Sequence, residues 1–462
     1  MHVSRRHFLF VSAAALLQPG TSGGKRDMIV RAARPLDLEM PLEGFSDYIT
    51  PLDRFFVRSH VYTPRVDIGR WHLTVDGEVA NALTLTLDDL RRMPSVELVS
   101  VLECAGNGRS FYEPSMPGLQ WGHGAVGNGR WRGVRLADVL KRAGLKASPR
   151  EVLFNGADTP LGTMPDFQRS IPIAKALHPA TLLAYEMNGE TLPVEHGFPL
   201  RLVVPGWAGD SWIKWVTSIT VLNREHDGFW MARAYRHPGR AVQPGTAVPP
   251  EQMQPVTSLR VKSVIIEPRD DRASRTSARI GDPLTIRGAA WSGDAGPVTR
   301  VDVSVDGGGT WTEATLPRNQ RTDYGWRLWS YRWTPRRDGA YTILARARDA
   351  AGNTQPLGQE WNPSGYLWNV APRVSVGVGL GFGIEGDTGD SAVSPVSPPP
   401  PRELQTSCLA CHEVDVIRQQ RLTRAQWDAE INKMVGWGAK VPDQDRSALL
   451  DYFAARYGPR GR

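Results

Sequence analysis

Four consecutive prolines, Pro398 to Pro401, close a tract that reads VSVGVGLGFGIEGDTGDSAVSPVSPPPPRE from Val374 to Glu403. Proline fixes φ and lacks a backbone N–H, so neither a helix nor a central strand runs through such a stretch. The later part of the tract reads as a Gly/Ser/Pro linker that carries no core. It divides the 462-residue chain into a long N-terminal portion, large enough for more than one core, and a short C-terminal piece.

The portions differ in periodicity. Across 35–250, strand-like runs such as Trp71 to Val75 and Leu200 to Val204 alternate with short helical stretches such as Leu136 to Ala143, the mark of an α+β domain. Across 253–373 the pattern turns all-β. Val301, Val303 and Val305 fall on one face before a glycine turn, and Tyr341, Ile343 and Ala345 repeat the alternation. Short strands at this spacing predict a β-sandwich of immunoglobulin type. After the linker at 374–403, residues 404–460 read as a small all-α domain. Trp427, Ile431, Met434 and Val435 share one helical face, Leu449, Phe453 and Tyr457 another, and Asp443 after Pro442 is placed as an N-cap.

Composition excludes little but sets a frame. With 41% hydrophobic and 22% charged residues the chain is neither disordered nor a membrane bundle. Its net charge of +7 is spread out, with no Lys/Arg block for a nucleic-acid arm, so no nucleic-acid partner is expected. The N-terminus is more specific. Arg5 and Arg6, then Phe8 and Leu9, precede a short apolar run from Val11 to Leu17 that is too brief to span a bilayer. Residues 1–27 therefore read as a twin-arginine signal peptide, with a Sec signal as the alternative. That implies a periplasmic protein exported folded, with no transmembrane segment.

Three cysteines remain to be placed. Cys408, Cys411 and His412 form C-x-x-C-H, the attachment signature of a c-type haem: two thiols reach the two vinyl groups and the histidine meets the iron. A disulfide or half of a zinc site is the alternative, but no second pair exists to complete zinc coordination. Met434, in KMVGWGAKVP, is the candidate sixth ligand, or else core filler; the segment resembles short class I cytochromes c, and a His/Met pair raises the potential of an electron acceptor. Cys104, in VLECAGNGRS, has no partner left. It is either buried and inert or held by a metal, and soft thiolates suit soft metal centres.

ECAGNGRS also resembles the motif around the molybdenum-ligating cysteine of the sulfite oxidase family. The likeness continues in FFVRSH (Phe55 to His60), GLQWG (Gly118 to Gly122), GADTPLG (Gly156 to Gly162) and HGFPLRLVVPGWAGDSWIKW (His196 to Trp215), in the family's order. It spans roughly 40–372. The resemblance implies a molybdenum–molybdopterin cofactor with Cys104 as the single protein ligand. It assigns Phe56, Arg58, His60, Asp158, His196, Arg201, Ser211 and Lys214 to the pterin. Arg58 and Arg109 map onto arginines that hold a small oxyanion, Trp121 onto a pocket wall, and Tyr235 onto a substrate-contacting tyrosine. The sandwich matches the family's dimerisation domain, which implies a homodimer.

The chain departs from the animal and plant pattern in two places: Ser364 stands where WNLRG has an arginine, and Pro117 where a pocket lysine is found. The expectation is a sulfite dehydrogenase that carries molybdenum and haem c and passes electrons to a soluble or membrane-bound cytochrome c. The alternatives are a sulfane-sulfur dehydrogenase, a sulfoxide reductase or a non-enzymatic electron carrier. The linker is expected to let the haem domain dock transiently and electrostatically near the molybdenum face.

Overall fold

The computed structural model describes residues 24–269, 277–320, 322–379, 401–402 and 404–459. Most of the expected signal segment 1–27 lies outside the described residues. Its last residues do not stand apart: the Lys25 ammonium donates to the carbonyls of Leu52 and Phe55 at 2.6 and 2.8 Å, and Arg26 N–H donates to Asp53 O at 3.2 Å. A hairpin of Ile29–Ala32 and Asp37–Glu39 follows directly.

The first domain is built on two five-stranded sheets. In one, Ser95–Glu103 pairs antiparallel with Val126–Arg135 over its whole length, from Ser95 opposite Val134 to Glu103 opposite Val126. Leu182–Met187 and its partners Glu190–Thr191 and Arg201–Val203 complete it. In the other sheet, Val216–Leu222 lies between Leu73–Gly77, its one parallel neighbour, and Glu151–Gly156. Leu136–Ala143 is helical as its pattern predicts. Leu136, Val139, Leu140 and Ala143 are its buried stripe, and Gly144, at φ +72°, ends it by donating to Leu140 O and Lys141 O.

The second domain is a sandwich of a three-stranded sheet (Lys262–Glu267, Leu284–Trp291, Arg327–Trp333) on a five-stranded one. Side chains alternate across a strand, and Lys262–Glu267 is buried on both sides. Ile265 enters the sandwich core with Ile286, Val301 and Ile343, while Val264 and Ile266 pack with Phe45, Trp291 and Trp326 under the first domain. The two domains thus share a core through one strand. Arg373–Val378 pairs with Gly339–Asp349, and Val374, Val376 and Val378 are buried. These residues, expected in the linker at 374–403, complete the sandwich instead, because alternating valines find an open sheet edge. The linker beyond them, 380–400, lies outside the described residues.

A small helical unit follows, with helices Asp415–Arg418, Arg424–Gly436 and Asp443–Tyr457. Leu404, Leu422, Trp427, Ile431, Leu449, Phe453 and Tyr457 form its core. Two expectations are corrected. Val435 is 40% exposed and Met434 only half-buried, so the buried face of the first long helix is Trp427 and Ile431. Asp443 is the first residue inside its helix; Pro442 occupies the cap, without a side-chain bond.

The unit lies docked against the first domain. Gln419 accepts from Gln120 N–H at 2.7 Å and donates to Arg31 O at 2.8 Å, and Gln420 donates to Gly118 O at 2.9 Å. Trp437 packs edge-on to Phe229 and tilted against Trp230, and its carbonyl accepts from Thr163 N–H at 3.2 Å. Gly162 faces that carbonyl at φ +57°, and a Cβ there would come within 2.7 Å of it. Among the described residues Arg34–Glu413, at 3.1 Å and nearly half exposed on both sides, is an ion pair across this contact. No described helix is long and apolar enough to cross a membrane.

Candidate active site

Cys104 stands one residue past the end of Ser95–Glu103, where the chain leaves the sheet in a tight turn. Its N–H donates to Ala125 O, and its carbonyl accepts from Asn107 N–H, both at 2.9 Å. Gly108 turns at φ +89°, and a Cβ there would strike the Trp368 ring at 2.6 Å. The flanking Glu103 and Asn107 hold the turn. The buried Glu103 carboxylate accepts from Lys262 Nζ at 2.8 Å, Trp291 Nε1 at 2.7 Å and Asn107 Nδ2 at 2.8 Å. Asn107 Oδ1 then accepts from Ala125 N–H at 3.1 Å. The second domain's strand thus pins the first domain's cysteine turn.

Cys104 opens onto a cavity also lined by Phe56, Arg58, His60, Asp158, His196, Arg201, Lys214 and Tyr235. Cations dominate it. Arg58 pairs with the buried Asp37 at 3.3 Å. Lys214 Nζ donates to the carbonyls of Arg58 and Glu195 and to Ser59 Oγ at 2.9–3.0 Å; burial pulls its pKa down to about 7, with Arg201 adding to the shift and Asp158 opposing it. Arg201 is sandwiched near Trp131 and Trp212, and burial alone lowers its pKa. Its Nε makes no hydrogen bond, and neither does Ser211 Oγ. Burial, then Arg58, Lys214 and Arg169, keep His60 neutral, and its Nε2 lies 2.5 Å from Tyr235 Oη. His196 is likewise held neutral by burial and by Lys25, whose ammonium donates to its Nε2 at 2.9 Å. Burial raises Asp158 to about 6. It also raises the Cys104 thiol, against the pull of Arg58 and the Gly106 N–H.

Arg201 and Lys214 are buried with hydrogen bonds to neutral oxygens, and such cations favour an anion beside them. The residues therefore fit a phosphate-bearing cofactor with a metal at Cys104. Among the described residues no three His, Cys, Asp or Glu side chains converge, so the cofactor itself would supply the other ligands of such a metal.

Three of the expected residues stand off the cavity wall. Trp121 is fully buried in the first domain's core and lines neither cavity; its large apolar ring packs rather than faces a pocket. Ser211 is buried behind the wall. Arg109 is buried next to it, donating to Leu119 O at 3.3 Å and stacked over Tyr366 at 5.0 Å, with Nε unpartnered. Lys25 and Asp37 lie among the site's groups without having been singled out, because no local motif surrounds them; Tyr366 was also passed over, although it directly follows the WNPSG stretch.

A second cavity, of about 250 Å³, lies between the helical unit and the first domain. Cys408, Cys411, His412, Met434 and Trp437 line one side; Asp37, Arg58, Ser59 and His60 line the other. Arg58, Ser59 and His60 therefore border both cavities. Cys408 and Cys411 are free thiols, and burial pushes Cys408 up to about 11.

Residues 60–230 match the oxidoreductase molybdopterin binding domain, and 253–378 the Mo-co oxidoreductase dimerisation domain. The chain is 39% identical over 362 residues to mitochondrial sulfite oxidase of Homo sapiens, a match covering 75% of this chain and 65% of that protein. It is 32% identical over 374 residues to sulfite oxidase of Arabidopsis thaliana, covering 76% of this chain and 94% of that one. The chain spans about two thirds of the mammalian relatives' length. The sulfane dehydrogenase SoxCD of Paracoccus pantotrophus superposes with a TM-score of 0.65 at 27% identity, over 76% of this chain and 88% of that one. With its cysteine turn, cation-lined cavity and second domain alike in place, the chain belongs to the sulfite oxidase family of molybdopterin oxidoreductases.

Proposed function

We propose that the chain is a periplasmic sulfite dehydrogenase that carries molybdenum–molybdopterin at Cys104 and a haem c at Cys408, Cys411 and His412, with Met434 as the sixth ligand. The observation that carries this reading is the shared wall: Arg58, Ser59 and His60 border both the Cys104 cavity and the cavity of the C-x-x-C-H motif. Bound there, the molybdenum centre supplies oxygen-atom transfer and a two-electron sink, and the haem takes electrons singly. Sulfite and water become sulfate, two protons and two electrons, which pass to a cytochrome c acceptor.

The chain's own groups do the rest. Arg201, Lys214 and His196 hold the pterin's anionic tail, with Ser211 as an added donor. Arg58 and Arg109 hold the oxyanion through charge-assisted bonds, for which the guanidinium fork is suited. Tyr235 and neutral His60, joined by a 2.5 Å hydrogen bond, are placed to relay a proton from the pocket. The dimerisation domain supports a homodimer, and the paired arginines near the N-terminus support twin-arginine export.

A second reading, oxidation of sulfane sulfur, is favoured by the likeness to SoxCD and by Ser364, which removes one positive charge expected of a sulfite pocket. Purified protein assayed with sulfite, thiosulfate and sulfoxides, with molybdenum and haem contents measured, separates these. Cys104→Ser should keep the haem spectrum and lose molybdenum-dependent turnover, since a hydroxyl is a harder ligand. Turnover like that of the parent would end the assignment.

A further inference from the structure

Arg109 and Tyr235 come from distant parts of the first domain, yet one side chain of the second domain lies between them. Tyr366 stacks on Tyr235 with ring centroids 5.3 Å apart and planes at 14°. The Arg109 guanidinium lies 5.0 Å from the Tyr366 ring centroid, and Arg169 covers Tyr235 at 5.4 Å. A guanidinium, two phenols and a second guanidinium thus form one stack beside Cys104. Arg169 anchors the far end through the buried Asp210, at 2.6 Å.

The loop that presents Tyr366 is pinned on both sides of it. Its carbonyl accepts from Tyr112 Oη at 2.7 Å and Asn362 Nδ2 at 2.9 Å. Leu367 N–H donates to Ala105 O at 2.9 Å, which ties the loop to the residue after Cys104. Gly365, at φ +62°, lets the loop close on Arg109: a Cβ there would lie 3.1 Å from Arg109 Nε. Arg109 is otherwise held mainly by packing: its guanidinium lies against Gly106 and Gly118, where an added Cβ would come within 2.8 Å of it. It donates to Leu119 O at 3.3 Å, and its Nε has no partner. Beside the pocket wall, the orientation of its guanidinium is therefore set by the Tyr366 ring together with Gly106 and Gly118.

We infer that Tyr366 is a positioning residue for oxyanion binding, its aromatic ring, backed by Tyr235, fixing the Arg109 guanidinium relative to Cys104. Ser364, on the same loop, offers no cation, so the loop contributes through this stack rather than through a charge of its own. The inference rests on the oxyanion reading of the site.

The test uses holoprotein with two readouts, the KM and kcat for sulfite and the calorimetric Kd for sulfate, the product anion. Tyr366→Met fills the space without a π face, and Tyr366→Leu serves if that variant folds poorly. Either should raise KM and Kd about three- to tenfold while kcat changes little, as loss of a cation–π support to a binding group implies. The conservative Tyr366→Phe should rescue both values. Combined with Arg109→Met, Tyr366→Met should add nothing further, because both act through one guanidinium. Unchanged constants in Tyr366→Met, a Phe variant as impaired as Met, or additive effects in the double variant each overturn the inference. Absence of sulfite turnover and sulfate binding in the parent protein would instead overturn the oxyanion reading.

Discussion

Lys214 illustrates how a single buried charge records what its site was built to hold. Its pKa is drawn down to about 7 by burial, far below an ordinary lysine. Between that value and the usual 10.5, the unfolded chain binds a proton that the folded, cofactor-free chain does not. Stability of the cofactor-free protein therefore rises with pH across this window and levels off below it. Urea unfolding at pH 7, 8 and 9 should show this rise, and Lys214→Met should flatten it. A phosphate accepted by Lys214 favours its charged form, so holoprotein should also show the smaller slope. Equal slopes in parent and variant would mean that Lys214 keeps its proton. Arg58, His60 and Lys214 were legible in short motifs, and the structure brings them to one cavity. Asp37 and Lys25 were not, because their contacts, to Arg58 across 21 residues and to His196 across 171, leave no local pattern.

At the scale of elements, the strand Lys262–Glu267 does more than close a sandwich. Its Lys262 pairs at 2.8 Å with Glu103, and both side chains are nearly sealed from water. Removing one partner leaves the other buried and uncompensated, which costs about 3–5 kcal/mol. Lys262→Met should therefore lower the unfolding free energy by that amount, and the double variant with Glu103→Gln, which removes the charge yet keeps an acceptor for Trp291 and Asn107, should recover part of it. Because Glu103 also holds Asn107, the single variant should loosen the Cys104 turn and retain less molybdenum. Stability within about 0.5 kcal/mol of the parent would show that water enters the pair. Regular elements were readable where periodicity and termination agree, as in Leu136–Ala143 with Gly144 behind it. The three alternating valines after Arg373 misled because the glycines among and after them resemble a linker, and only the waiting sheet edge makes them a strand.

For the molecule as a whole, the docking of the helical unit is the feature least like the expectation. A tethered domain was expected to visit electrostatically, yet among the described residues the contact is chiefly hydrogen bonds of glutamines, Arg34 and Tyr62, the Trp437 ring and the close approach at Gly162, with one exposed ion pair. Exposed pairs contribute little and are screened by salt, whereas amide bonds and apolar burial are not. Reduction of the proposed haem by sulfite should therefore change less than about twofold between 50 and 500 mM salt. Gly162→Val, which puts a branched side chain against the Trp437 carbonyl, should slow it and enlarge the particle in small-angle scattering. A rate that falls steeply with salt would restore the tethered picture. Sequence alone determined the family, the lone thiol with its glycine turn, the C-x-x-C-H triplet and the order of the two family domains, because each is written in residues close together in the chain. Tertiary structure decided which guanidinium nitrogens stay unbonded, which tyrosine lies between Arg109 and Tyr235, and that the two cavities share a wall. Those are relations between residues hundreds of positions apart, fixed by sheet pairing and interdomain packing that no local pattern encodes.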